Sequence, residues 1–169
     1  LKSSGRIGAW GVTTASTQSE NLAVVSAHQR PDVVQCITNL LDSSASMALT
    51  EEVPMPRQVI SKAEDAGIGV MGIRAVAAGS LTDAIDRDVH PKSAELKDFQ
   101  RSAGFRELAK SNGLSPAYLA HLYALSMPGV DTVVLGVKNR EELTECLEAE
   151  AAAPMSAELV AAMDASVAN

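Results

Sequence analysis

Four short runs rich in valine and isoleucine constrain this chain most. They are "RIGAWGV" (Arg6–Val12), "PDVVQCI" (Pro31–Ile37), "GIGVMGI" (Gly67–Ile73) and "DTVVLGV" (Asp131–Val137). Each trims to about five residues, an ordinary strand length. None alternates cleanly between polar and apolar side chains. That pattern predicts strands covered on both faces, as in a parallel sheet.

Helical patterns fill the gaps. Ser19–His28 carries Leu22, Val24 and Val25 at helical spacing. Pro56–Ala66 opens on a proline, which suits a first helical turn, and stops at Gly67. The long third connection holds "DRDVHPKS", then a helix predicted over Phe99–Asn112 with Gly113 as its stop. Ser115-Pro116 is an N-cap with proline behind it, and Tyr118, Leu119, Leu122 and Leu125 follow as one apolar face. Arg140–Glu148 and Ser156–Ser166 complete the set.

The order is β-α-β-α-β-αα-β-α-α, an α/β pattern of right-handed units with parallel strands. Four such units form a single domain over residues 1–169, either a small open sheet or half of a (β/α)8 TIM barrel with helices on the outside. Both place function at the C-terminal ends of the strands. Neither Gly-x-Gly-x-x-Gly nor Gly-x4-Gly-Lys-Ser/Thr occurs.

Composition removes several function classes. A net charge of −7 argues against a nucleic-acid binder, which needs a basic face. No apolar run approaches the roughly 20 residues of a membrane helix. Nothing at the start reads as a signal peptide; the chain opens at Leu1, in what reads like mid-protein sequence. Cys36 and Cys146 are too few for a disulfide framework and are expected to be reduced thiols of a cytoplasmic protein. With aromatics at only 3%, the core must be built from Val, Ile, Leu, Ala and Met.

The strand ends carry Thr13-Thr14, Gln35 with Asn39 beyond it, Arg74 with the small-residue loop "AVAAGSL", and Lys138-Asn139. This set is amide-rich with two cations. It suits a ligand with amide and phosphate groups. It holds no His-Asp pair, Cys-His pair or carboxylate cluster, so it predicts neither acid–base residues nor a metal site. His28, His90 and His121 read as surface or packing residues. The stretch "DTVVLGVKNREEL" allows two local readings: a phosphate grip at Lys138, or a helix capped by Asn139 with Glu142 completing a capping box.

Four pieces in order resemble the C-terminal half of an aldo-keto reductase, from about Gly5 to Asp164. "GRIGAWGVTT" is similar to that family's fifth strand, usually Gly-Lys-Ile-Arg-x-Ile-Gly-Val-Ser-Asn, and "PDVVQCITNLLD" to its sixth. "AEDAGIGVMGIRAVAAGSLT" resembles the seventh strand and cofactor loop. "FRELAKSNGLSPAYLAHLYALSMPGVDTVVLGVKNREELTECL" resembles the seventh helix pair and the eighth strand.

The resemblance implies an NAD(P)H-dependent (β/α)8 oxidoreductase of aldehydes and ketones, with strands five to eight present here. Thr13, Thr14 and Gln35 match the residues that hold the nicotinamide carboxamide. Ile73 stands where many members stack a tyrosine on the nicotinamide ring. The loop Ala75–Leu81, with Ala75, Val76, Gly79 and Leu81, matches the segment whose backbone amides face the pyrophosphate, and Arg74 just before it is a further implied cofactor contact. Gly136, Lys138 and Asn139 match the adenosine-phosphate loop, and Glu145 a glutamate near the adenine. Cys146 replaces the family's asparagine, and Glu142 stands where an arginine often supports a 2′-phosphate. NADP(H) is the implied cofactor, with NAD(H) as the alternative. The family's catalytic Asp, Tyr, Lys and His belong to the first half of the barrel, and Tyr118 and Tyr123 fall on a helix expected outside it. The implied partners are the cofactor, a small carbonyl substrate, and a missing N-terminal half or a second copy. Two alternatives stand beside this: a non-catalytic nucleotide-binding or interaction module that self-associates as a half-barrel, and an unrelated phosphate-binding half-barrel.

Overall fold

A computed structural model describes residues 1–45 and 54–167. Four strands lie in sequence order, each parallel to the next: β1 (Gly11–Thr13), β2 (Val33–Ile37), β3 (Gly69–Ile73) and β4 (Thr132–Val133). Between and after them run α1 (Gln18–Ser26), α2 (Pro56–Asp65), a 3-10 turn (Ala77–Gly79), α3 (Ala94–Arg101), α4 (Ala103–Ser111), α5 (Pro116–Ser126), α6 (Arg140–Ala152) and α7 (Ala157–Val167). This is the α/β half-barrel that the pattern predicts.

The helix signals act locally, as expected. Thr17 and Glu20 form a full capping box on α1. The Ser115 hydroxyl accepts from the amides of Ala117 and Tyr118 at 3.1 and 3.3 Å, with Pro116 in the first turn of α5.

Three expectations change. The outer strands are much shorter than their apolar runs, because β1 pairs only with β2 and β4 only with β3. β1 stops level with Gln35 although β2 runs on to Ile37, and β4 spans only Met71 and Gly72 of β3. The helix expected over Phe99–Asn112 starts earlier, at the Ser93 cap, and divides at Ser102. The buried Ser102 hydroxyl donates to the carbonyls of Ser80 and Phe99 at 2.7 and 3.0 Å. That bond competes with the regular helical ladder and ties the break to the loop after β3.

The third change concerns the sheet. Val34, Cys36 and Val70 are buried against Val25, Val59, Ile60 and Ala63 of α1 and α2. The alternate positions Thr13, Val33, Gln35, Met71 and Ile73 stay partly open. The sheet is therefore apolar on both faces but covered on one. In a closed barrel the inner face is filled by side chains from all eight strands, and four strands supply only half of that filling.

A second core cluster joins the helices to the loops. Leu40, Leu41, Ala77, Leu81, Phe105, Leu119, Tyr123 and Met163 are all buried in it. Gly104 lets α4 lie against α7: a Cβ there would sit 2.5 Å from the Ser166 carbonyl oxygen. The Tyr123 hydroxyl donates to Asp164 at 2.5 Å and accepts from Arg57 at 2.7 Å, which pins α7 to α5 and α2. Burial and Asp164 push the Tyr123 hydroxyl up to about 12, so it stays protonated at neutral pH.

Asp42 follows β2 with φ of 49°, and its carboxylate accepts the Arg57 amide at 3.0 Å. Burial is the largest influence on it and raises its carboxyl above the ordinary range. A carboxyl raised in the folded state stabilises the fold fully below its unfolded pKa and loses that contribution as pH rises through the folded value. Asparagine keeps the acceptor, drops the charge and tolerates the left-handed region. Asp42→Asn is therefore expected to raise Tm at pH 7 and to lose that advantage below about pH 4. Thermal unfolding at both pH values checks this, and equal shifts at both would reject it.

Candidate functional site

The C-terminal ends of the strands form one mouth. Thr13, Gln35 and Met71 stand in register across β1, β2 and β3. The Thr13 hydroxyl donates to the Gln35 side-chain oxygen at 2.9 Å, and the Gln35 amide nitrogen donates to the Met71 sulfur at 3.4 Å. A thioether is a weak acceptor, so that amide is available to a stronger one. Thr14 turns inward: its amide and its hydroxyl both bond the Gln35 carbonyl at 2.9 Å. Ile73 closes β3, half-buried.

The loop after β3 is held in an uncommon backbone. Arg74, Ala77 and Ala78 have φ of 61°, 48° and 55°, and Gly79 has 93°. Non-glycine residues in the left-handed region cost about 1–2 kcal/mol each and gather at functional sites. Ala75 and Leu81 anchor the loop, buried in the interior at 3% and 0% exposure. The amides of Ala77, Gly79, Ser80 and Leu81 are taken by turns within the loop. Those of Ala75 and Val76 make no backbone bond among the described residues. The Nε and Nη2 groups of Arg74 are buried without a hydrogen-bond partner. Buried donors are normally paired. Desolvation is the main influence on this guanidinium and lowers its pKa, against the attraction of Glu95.

Beside the loop lies a cleft of about 670 Å³. Val76, Ala78 and Gly79 form one wall, Ser115, Ala117 and His121 of α5 another, and Gly136, Lys138, Glu142 and Glu145 the floor. The segment from Thr82 to Arg87 completes it. The Lys138 ammonium pairs with Asp86, and Arg87 donates to the Ala78 carbonyl at 2.8 Å.

Asn139 caps α6: its side-chain oxygen accepts the Glu142 amide at 2.8 Å. Glu142 accepts the Lys138 backbone amide at 2.8 Å and the Asn139 side chain at 3.3 Å. The capping box is thus displaced by one residue, and the Glu142 carboxylate is committed to backbone and cap. The capped-helix reading of this stretch is found in place, and the Lys138 side chain lines the cleft.

A family model described as "Aldo/keto reductase family" matches residues 1–168. The chain belongs to the aldo/keto reductase family. Among curated proteins, none matches it.

The family is one of oxidoreductases that use a nicotinamide dinucleotide, and the donors of this aldo/keto reductase chain fit such a group. Gln35 offers a primary amide facing only a weak acceptor. Arg74 holds donors that lack an anion or carbonyl. The cleft joins a small-residue loop to an exposed ammonium. Among the described residues, no group of three or more metal-binding side chains is assembled, and no helix is long and apolar enough to cross a membrane.

Three features of the candidate site escaped the sequence. Asp86 and Arg87 sit in a stretch that reads only as a flexible connection. Its alternating charges were the available signal. His121, read as a packing residue, lines the cleft with its ring nitrogens 3.6 and 3.8 Å from the Cys146 sulfur.

Proposed function

We propose that this chain is the cofactor-holding half-barrel of an NAD(P)H-dependent reductase of aldehydes and ketones. The observation that carries the reading is the single cleft shared by the left-handed loop, Lys138 and Glu145. In this reading Gln35, oriented by Thr13, binds the nicotinamide carboxamide through both its donor and its acceptor. Ile73 packs on the ring without π-stacking. The Ala75 and Val76 amides and Arg74 face the pyrophosphate, and Lys138 takes the adenosine phosphate. Thr14, Ala75, Leu81, Gly136 and Asn139 act by shaping the backbone that carries these groups.

Bound there, the dinucleotide supplies hydride to a carbonyl carbon. The proton comes from a residue outside these matched positions, since Tyr123 is locked to Asp164 and Arg57. Calorimetric titration of NADPH and NADH into the chain tests the reading. Saturable binding with a raised Tm is expected; no heat and no stabilisation up to millimolar cofactor would sink it.

The open inner face favours a second, compatible reading, an association module. The edges of β1 and β4 are unpaired among the described residues. Leu143 and Leu147 are 46% and 59% exposed on α6. Unpaired edges and an apolar face invite four further strands, from a second copy or a complementary half. Light scattering on the eluting chain is expected to give twice its 17.6 kDa mass if the partner is a copy. A monomer at every concentration would reject self-association.

A further inference from the structure

The mouth of the sheet holds one oxidisable side chain. Met71 on β3 is level with Gln35 on β2, and Gln35 is level with Thr13 on β1. The Thr13 hydroxyl donates to the Gln35 side-chain oxygen at 2.9 Å, so the amide nitrogen is turned toward β3. There it donates to the Met71 sulfur at 3.4 Å. Ile73, two residues on, shares the face of β3 that carries Met71. Both stay partly open, whereas Val70 and Gly72 between and before them are buried.

Exposure separates the methionines. Met55 is 39% exposed, Met163 is fully buried, and Met71 lies between them. Hydrogen peroxide that reaches the Met71 thioether transfers one oxygen to it. The O–O bond breaks, an S–O bond forms, sulfur gives up two electrons and water leaves. The product is a polar sulfoxide, which the cell's sulfoxide reductases reverse. Its oxygen is a far stronger acceptor than the thioether sulfur, which accepts only weakly. The Gln35 N–H that meets sulfur is then taken by that oxygen. The same oxygen sets a dipole beside Ile73, whose side chain offers only apolar contact.

We propose that Met71 is an oxidation site, and that its sulfoxide engages the Gln35 amide and weakens binding of the nicotinamide half of a dinucleotide. The proposal rests on the nucleotide-binding reading above and adds to it a reversible control by peroxide.

Graded hydrogen peroxide followed by peptide mass spectrometry is expected to add oxygen to Met55 first, Met71 next and Met163 last. After oxidation, the wild type is expected to bind NADPH and reduced nicotinamide mononucleotide about five- to tenfold more weakly, the worth of one hydrogen bond. Adenosine 2′,5′-bisphosphate should bind as before. In Met71→Leu, peroxide should change no affinity, whatever the starting values, which separates Met71 from the other methionines and the two cysteines. Sulfoxide reductases for both epimers should restore the wild type. Cofactor-free protein gives an independent reading. The Gln35 side-chain amide protons, assigned by their disappearance in Gln35→Glu, are expected to move downfield on oxidation of the wild type and to stay still in Met71→Leu. If Met71 is oxidised while this signal stays still and NADPH binds normally, the inference fails and the cofactor reading stands. Reaction at Met163 before Met71, or equal weakening of all three ligands, also overturns it. No nucleotide binding by the untreated wild type overturns both.

Discussion

Phe105→Ala is expected to lower folding stability by about 3–5 kcal/mol, the usual cost of emptying a buried phenylalanine site. The chain contains only two phenylalanines, and Phe105 is the largest fully buried side chain among the described residues. It packs with Leu81, Leu119, Tyr123 and Met163, so one ring fills the space where α4, α5, α7 and the loop after β3 converge. The surrounding side chains are mainly leucine and alanine with Tyr123 and Met163, and helices already packed on one another close only partly over the void. Domains of this size keep only about 5–15 kcal/mol in total, so the loss is a large share of it. The effect should also reach the cleft, because Ala77 and Leu81 of the loop after β3 sit in the same cluster. Urea unfolding followed by circular dichroism measures the first effect, and NADPH titration the second. A midpoint within error of the wild type would show that the cluster does not hold the fold.

Lys138→Ala is expected to weaken NADPH at least tenfold, about 1.4 kcal/mol, while changing NADH affinity little. The ammonium is 67% exposed and its partner Asp86 is 52% exposed. An exposed pair of this kind is worth at most about 1 kcal/mol, so an incoming phosphate can displace the carboxylate. Asp86 is therefore a competitor for the phosphate. Asp86→Ala should strengthen NADPH binding, most visibly at low salt, where exposed charges are least screened. Equal losses of NADPH and NADH in Lys138→Ala would discard a 2′-phosphate role. A loss of NADPH affinity in Asp86→Ala would show that the pair acts as a strap over the ligand instead. Glu142, which sequence position sets against Lys138, is removed from the contest because its carboxylate is bonded to the Lys138 amide and the Asn139 side chain.

The legible parts of this protein are those written in neighbouring residues. Ser115 ahead of Pro116 and Asn139 ahead of α6 each cap a helix across two or fewer intervening positions, and both are found in place. The Val/Ile runs gave the four strands and their parallel order. They overstated the length of β1 and β4, because strand length depends on a neighbour that no run can reveal. They also suggested two covered faces, although apolar side chains record only what a face requires and not what is present to meet it. The break at Ser102 was missed for a related reason: its competing acceptor, the Ser80 carbonyl, comes from a distant loop.

The site divides in the same way. The sequence by itself determined the inventory: an amide at Gln35, a small-residue loop after β3, and a lysine after β4. Residue types at strand ends point toward a ligand with amide and phosphate groups, because such groups are matched only by certain donors and acceptors. Tertiary structure alone decided the pairings. It set Asp86 on Lys138, tied Glu142 to a backbone amide, left the Arg74 donors unmet, and turned His121 from a packing residue into a cleft wall backed by Cys146. A side chain's strength as a donor or its charge is carried by its own atoms. Whether that capacity is spent or free depends on which distant segment the fold brings within about 3–4 Å, and no local pattern encodes that.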